Sequence, residues 1–149
     1  MDKNYMKIAI DEAKKAYKKD EVPVGAVIVL NGKILASAYN KREKKKDATA
    51  HAEILCIKKA CKKLRDFRLI DTEMYVTMEP CTMCMGAILN ARIKKLYFGA
   101  YANKEGALSA FEINERAELN HKCEIEGGVF AEECSNLVSL YFKSKRKKK

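Results

Sequence analysis

No apolar run in this chain is long enough to cross a membrane. The longest, Val24 to Leu30, stops far short of the ~20 residues a spanning helix needs. Met1-Asp2-Lys3-Asn4 leads straight into an amphipathic pattern without a signal-peptide core, so the cytoplasm is the expected address. Internal repeats and linkers are also missing. The one low-complexity piece is the basic end, Lys143-Ser-Lys-Arg-Lys-Lys-Lys149, whose last residues are expected to be disordered. A chain of 149 residues without linkers reads as one domain, residues 1–149, large enough for a hydrophobic core. Acidic residues are in deficit: twenty Asp and Glu stand against thirty Lys and Arg, a net charge of +10. That balance favours polyanionic partners, above all nucleic acid. A lysine-rich solvated surface gives the same count, so charge does not decide between them. Six cysteines without a secretory leader argue for free thiols and metal ligands over disulfides.

Along the chain, Met6, Ala9/Ile10, Ala13 and Ala16/Tyr17 recur at helical spacing with lysines between them, which predicts a helix over residues 2–19. Val24 to Leu30 reads as a strand buried on both faces. Asn31-Gly32 is a two-residue hairpin signal that returns Lys33 to Asn40 as an antiparallel strand. Residues 41–47 are expected as a charged loop, followed by a helix over 50–64, a strand over 74–78, a helix over 81–91 and a strand over 95–99. Residues 100–120 read as irregular with a short helix. A last strand over 123–126 ends at Gly127-Gly128, and a final amphipathic helix starts at Ala131 and runs to about Ser144. Helices alternating with short buried strands imply a three-layer α/β domain around one sheet.

Two short segments carry the chemistry. Thr49-Ala50-His51-Ala52-Glu53 and Glu79-Pro80-Cys81-Thr82-Met83-Cys84 offer three zinc-type ligands, His51, Cys81 and Cys84, and one carboxylate beyond them, Glu53. A structural zinc site closes all four positions with protein; three ligands leave one for water. Cys81 and Cys84 at i, i+3 share a helical face, and Pro80 suits the helix start whose N-terminus favours thiolate. A bound zinc would lower its water's pKa from ~15.7 to about 7. His51 and Glu53 at i, i+2 diverge by about 200° within a regular helix. The spacing fits better with a segment just entering its helix, with His51 on the metal and Glu53 reaching past it as acid–base group. Cys56, Cys61, Cys123 and Cys134 are expected as small core residues.

With these residues in place, the chain resembles the bacterial tRNA adenosine deaminases of the cytidine deaminase superfamily. The resemblance extends to Val22-Pro-Val-Gly-Ala26, Phe67-Arg-Leu-Ile-Asp71, Met83-Cys-Met-Gly-Ala-Ile88, Arg92-Ile93, Phe98-Gly-Ala100, Asn120-His121 and Gly128-Val-Phe-Ala-Glu-Glu-Cys134. It implies a homodimer of the cytidine-deaminase fold, a mixed five-stranded sheet with helices on both faces. It further implies one Zn²⁺ per subunit and hydrolytic deamination of the wobble adenosine of a tRNA anticodon to inosine. Attack falls on C6 of the adenine, and Glu53 protonates the ring and helps ammonia leave. Asn40 matches the base- and ribose-contacting Asn of the family, Val24 a pocket wall and Ala50 a backbone contact. On residue type alone, an Asn closing a strand is as often a turn residue.

The family's usual Gly-Ala-x-Asp-x-Lys-x-Gly stands here as Gly99-Ala-Tyr-Ala-Asn-Lys-Glu-Gly106, with Ala102 at the acidic position. Expected RNA contacts are Lys41, Arg42, Asn103, Lys104, Tyr141, Phe142 and Arg146, since aromatics on basic elements stack unpaired bases while cations hold phosphates. One of Tyr141 and Phe142 is expected in the core. Two other functions use some of these features. A deaminase of free guanine or cytosine would share the zinc motif, and an inactive zinc-stabilised RNA-binding subunit would share the basic surface. An unligated Glu53 has no use in the second.

Overall fold

A single sheet in the order β2-β1-β3-β4-β5 organises the chain. Its strands are β1 Gly25–Leu30, β2 Lys33–Tyr39, β3 Glu73–Met78, β4 Lys95–Ala100 and β5 Glu124–Glu126. The computed structural model describes residues 1–102, 109–115 and 121–147. β1 pairs antiparallel with both β2 and β3, whereas β3, β4 and β5 run parallel. The helices are α1 Lys3–Lys18, α2 Arg42–Lys45, α3 Ala52–Leu64, α4 Thr82–Asn90, α5 Ser109–Asn114 and α6 Ala131–Lys147.

Strand periodicity sorts the core into two layers. Ala26, Ile28, Met74, Val76, Leu96 and Phe98 pack with Ala52, Leu55 and Cys56 of α3 and Met85 and Ile88 of α4. The intervening Val27, Val29, Tyr75 and Tyr97 face the other way, onto Met6, Ala9 and Ile10 of α1 and Cys134 of α6. Because both faces are covered, β1 reads as an unbroken apolar run. Asn31 and Gly32 both hold positive φ, 50° and 75°, which closes the β1–β2 hairpin. At Gly25 the packing of α1 is tight enough that a Cβ would lie 2.0 Å from the Ala9 carbonyl oxygen.

Three expectations are corrected. Residues 41–47 are not all loop: Arg42–Lys45 form α2, a single turn. The last helix continues past Ser144 to Lys147. Of the four cysteines expected in the core, Cys56, Cys123 and Cys134 are buried and Cys61 is only half-buried.

The topology gathers one end of the sheet. Gly25 pairs with Tyr39 and Met78 with Ala100. Residues just outside the strands therefore share that end: Val24 before β1, Asn40 after β2, Glu79-Pro80-Cys81 after β3 and Tyr101-Ala102 after β4. Open α/β sheets bind ligands at the carboxyl ends of their parallel strands, which is this end.

Candidate active site

Helices α3 and α4 both begin at that end, and their N-cap residues are His51 and Cys81. His51 has extended backbone angles, φ −71° and ψ 154°, so it lies outside the helix while Glu53 lies in its first turn. This is how an i, i+2 pair converges on one site. The His51 Nδ1 lies 3.7 Å from the Cys81 Sγ and 3.5 Å from the Cys84 Sγ. With Zn–S of about 2.3 Å and Zn–N of ~2.0–2.1 Å, a tetrahedral angle sets nitrogen and sulfur about 3.6 Å apart. The three ligand atoms all lie within 4.8 Å of one another, and they are the one such cluster of His, Cys, Asp and Glu among the described residues. Donor set and spacing both fit a single zinc ion.

The electrostatics agree. The Cys84 thiol donates to Cys81 and holds it down to about 4, in the thiolate form that a metal needs. The same contact, together with burial, pushes Cys84 up, and the hydrogen bond to Cys81 raises His51. Glu53 is 4% exposed, and burial pushes its carboxyl up to about 7. Its side chain reaches the Cys84 thiol, so the carboxyl borders the ligand cluster without being needed to complete it. A cation in the cluster would act against burial and favour the carboxylate. With a metal bound and both thiols deprotonated, two thiolates and a neutral imidazole beside a buried acid would suit hydrolytic proton transfer.

Residues 1–100 match the family model described as the cytidine and deoxycytidylate deaminase zinc-binding region. The chain belongs to that family. The deaminase is 47% identical over 149 residues to the tRNA-specific adenosine deaminase of Bacillus subtilis, covering 99% of this chain and 92% of that protein. It is also similar to a structure solved in biochemical and structural studies of A-to-I editing by tRNA:A34 deaminases at the wobble position of transfer RNA. There the TM-score is 0.85 and the identity 40%, over 90% of this chain and 98% of that one. The guanine deaminase of Bacillus subtilis is more distant, with 31% identity and a TM-score of 0.66 over 99% of this chain and 95% of that one.

Around the deaminase's metal cluster, the other expected residues are placed as follows. Val24 is half-buried against the α3–α4 layer. Ala50 is buried, and its carbonyl accepts from the Lys41 N–H at 3.0 Å. Asn40 is 5% exposed, and both ends of its amide are engaged. Its Nδ2 donates to the Val22 carbonyl and its Oδ1 accepts from the Arg42 N–H, each at 3.2 Å. The turn role is therefore filled, with one amide hydrogen and one lone pair left for a ligand. Lys41 N-caps α2 with its Nζ 4.9 Å from the Tyr39 ring centroid, and Arg42 is exposed.

Tyr141 and Phe142 divide as expected, which removes Tyr141 from the stacking surface. Tyr141 is 7% exposed, packs edge-on against Tyr17, and donates its hydroxyl to the Asp20 carbonyl. Phe142 stays 45% exposed and Arg146 is exposed. An open groove of about 730 Å³ separates α2 from α6, bordered by Lys19, Lys44, Phe142 and Lys145 and by the acidic Asp20, Glu21 and Glu43. It brings together the two basic segments that the sequence holds far apart. Asn103, Lys104 and Asn120 lie outside the described residues.

Sequence reasoning missed two buried carboxylates that bind backbone N–H groups at this end of the sheet. Glu21 accepts from the Glu43 and Lys44 N–H groups, and Glu79 accepts from the Ala102 N–H at 3.1 Å. Neither has a local signature, because each partner is more than twenty positions away.

Proposed function

We propose that this chain is a zinc-dependent tRNA deaminase that converts the wobble adenosine of an anticodon to inosine. The observation that carries it is a catalytic-type cluster, three ligands plus a buried acid, in a chain whose likeness to tRNA-specific adenosine deaminases is near full length. The lower identity to guanine deaminase weighs against the free-base alternative.

His51 Nδ1, Cys81 Sγ and Cys84 Sγ would hold the zinc. Bound there, the metal supplies an acidified water near neutral pH. Glu53 takes a proton from the attacking water and delivers it to the ring nitrogen beside C6. Glu53 then carries the remaining proton of that water, now on the C6 hydroxyl, to the C6 amino group, which leaves as ammonia, so that adenosine and water give inosine and ammonia. Burial of Glu53 matters here, because a carboxyl that protonates near neutrality can both accept and return a proton. Asn40, Val24 and Ala50 line the approach at the same end of the sheet and hold the base, with Asn40 using its remaining hydrogen-bonding capacity. Lys41, Arg42, Phe142 and Arg146 hold the phosphates and bases around the target, and we extend this role to Asn103 and Lys104.

The working unit is a homodimer in the cytoplasm. The layer of α3, α4 and their connection leaves Leu64, Phe67, Ile70 and Met83 exposed, which supports a partner subunit covering it. Sedimentation at twice the 16.9 kDa subunit mass is expected, and a monomer at assay concentration would remove the dimer. No helix among the described residues is long and apolar enough to cross a membrane.

The deciding assay measures inosine on an anticodon stem-loop with adenosine at the wobble position, beside free adenosine, cytidine and guanine. Conversion of the stem-loop alone is the expected result. Turnover of a free base or nucleoside alone would keep the zinc chemistry and overturn the substrate.

A further inference from the structure

We propose that Glu21 is a positioning residue, whose carboxylate fixes the basic turn α2 and, through it, the substrate side of the site. This rests on the tRNA reading above. Glu21 is 1% exposed, and its two oxygens accept from the N–H groups of Glu43 and Lys44 at 2.9 and 2.8 Å. α2 cannot stand alone: it is a four-residue helix, and its N-cap Lys41 makes no side-chain cap bond. The cap that a Ser or Asp would normally supply locally comes instead from a segment 22 residues upstream.

The same segment ties down Asn40. Val22, next to Glu21, accepts from the Asn40 Nδ2, and the Asn40 Oδ1 accepts from the Arg42 N–H. Lys41 then bonds through its own N–H to the Ala50 carbonyl, one residue before His51. Residues 21–22 and 40–44 thus close a ring of hydrogen bonds. Its exposed side carries Lys41, Arg42, Lys44 and Lys45, and its inner side presents Asn40. The basic segment also lessens the cost of burying the Glu21 carboxylate, which two amide donors satisfy.

The metal cluster touches this ring through the Lys41–Ala50 hydrogen bond, but its main support lies elsewhere. It hangs on α3 and α4, whose Ala52, Cys56, Met85 and Ile88 are anchored in the core. Glu21 therefore acts on substrate affinity through pre-organisation of the 40–44 segment, and not on the chemical step.

Glu21→Gln keeps the shape, removes the charge and turns an amino group toward one of the two N–H donors. The expected result is a stem-loop KM raised about tenfold, the loss of one charge-assisted hydrogen bond. The kcat should stay within about twofold on the same grounds, and zinc content should be unchanged. Amide exchange at Glu43 and Lys44 should be slow in the wild type and accelerate in the variant. Glu12→Gln is the control: it neutralises another buried carboxylate, one bonded to Lys15 on α1, and should leave KM alone. An unchanged KM in Glu21→Gln, an equal rise in Glu12→Gln, or a joint loss of zinc, kcat and thermal stability would each overturn the positioning role. If the wild type makes no inosine from the stem-loop, the function reading falls separately. Amide exchange in the wild type then still decides whether Glu21 holds α2, and fast exchange there refutes it.

Discussion

Glu53 and its neighbours are a problem of competing influences on single side chains. Burial raises Glu53 toward neutrality, while the ligand cluster beside it favours the charged form once a cation is present. A side chain in that balance is suited to moving protons, and its removal should cost rate without costing metal. Glu53→Gln is expected to lower inosine formation by ~10²–10⁴, the usual worth of a positioned acid–base group. Zinc content by elemental analysis should stay at one per chain, because the proposed ligands are His51, Cys81 and Cys84 and not Glu53. Loss of zinc in the variant would show instead that Glu53 is part of the coordination. Cys81→Ser should give the complementary outcome, with metal lost and the N-terminus of α4 destabilised, since Cys81 is both a proposed ligand and the N-cap residue.

At the scale of elements, α1 approaches β1 closely at Gly25. A Cβ on Gly25 would meet backbone atoms of Ala9 and Ala13 at 2.0 and 2.6 Å, which no side-chain rotation relieves. Gly25→Ala should cost about 3 kcal/mol as an overpacked core site, and so lower Tm by roughly 6–12 °C. Gly86, inside α4, has open space where its Cβ would stand, and Gly86→Ala should raise stability by up to about 1 kcal/mol. Thermal unfolding of both variants checks the pair, and a Gly25→Ala protein as stable as the wild type would mean α1 sits farther from β1. Elements such as α1, β1 and the Asn31-Gly32 hairpin were legible in the sequence because their signals are local: helical spacing, an apolar run, a turn pair. The metal cluster was legible for a related reason, since two short motifs carry its ligands and the position of Glu53 requires a helix start. α2 was not legible, because its cap is Glu21, and no local pattern connects residue 21 to residues 43 and 44. Asn40 was half legible: its strand-end position showed, and the double engagement of its amide with Val22 and Arg42 did not.

For the whole molecule, the question is whether a charge of +10 is a binding footprint or only a solvated surface. Position answers better than count. Lys41 and Arg42 stand at the end of β2 that carries Asn40, whereas the groove between α2 and α6 mixes lysines with Asp20, Glu21 and Glu43, and its Lys145 is paired with Asp20 at 2.7 Å. Lys33 stands at the other end of the same strand, about 20 Å away at 3.3 Å per residue. If the charge near the site holds phosphates, each lost contact should reduce the slope of log affinity against log salt by about 0.7, the value for single strands. Lys41→Ala and Arg42→Ala together should then flatten the slope for an anticodon stem-loop by about 1.4, while Lys33→Ala leaves it unchanged. Fluorescence anisotropy at several salt concentrations measures this directly. Equal flattening from Lys33 would mean that the basic surface acts as a diffuse field, and that the 41–46 segment has no privileged place on the RNA.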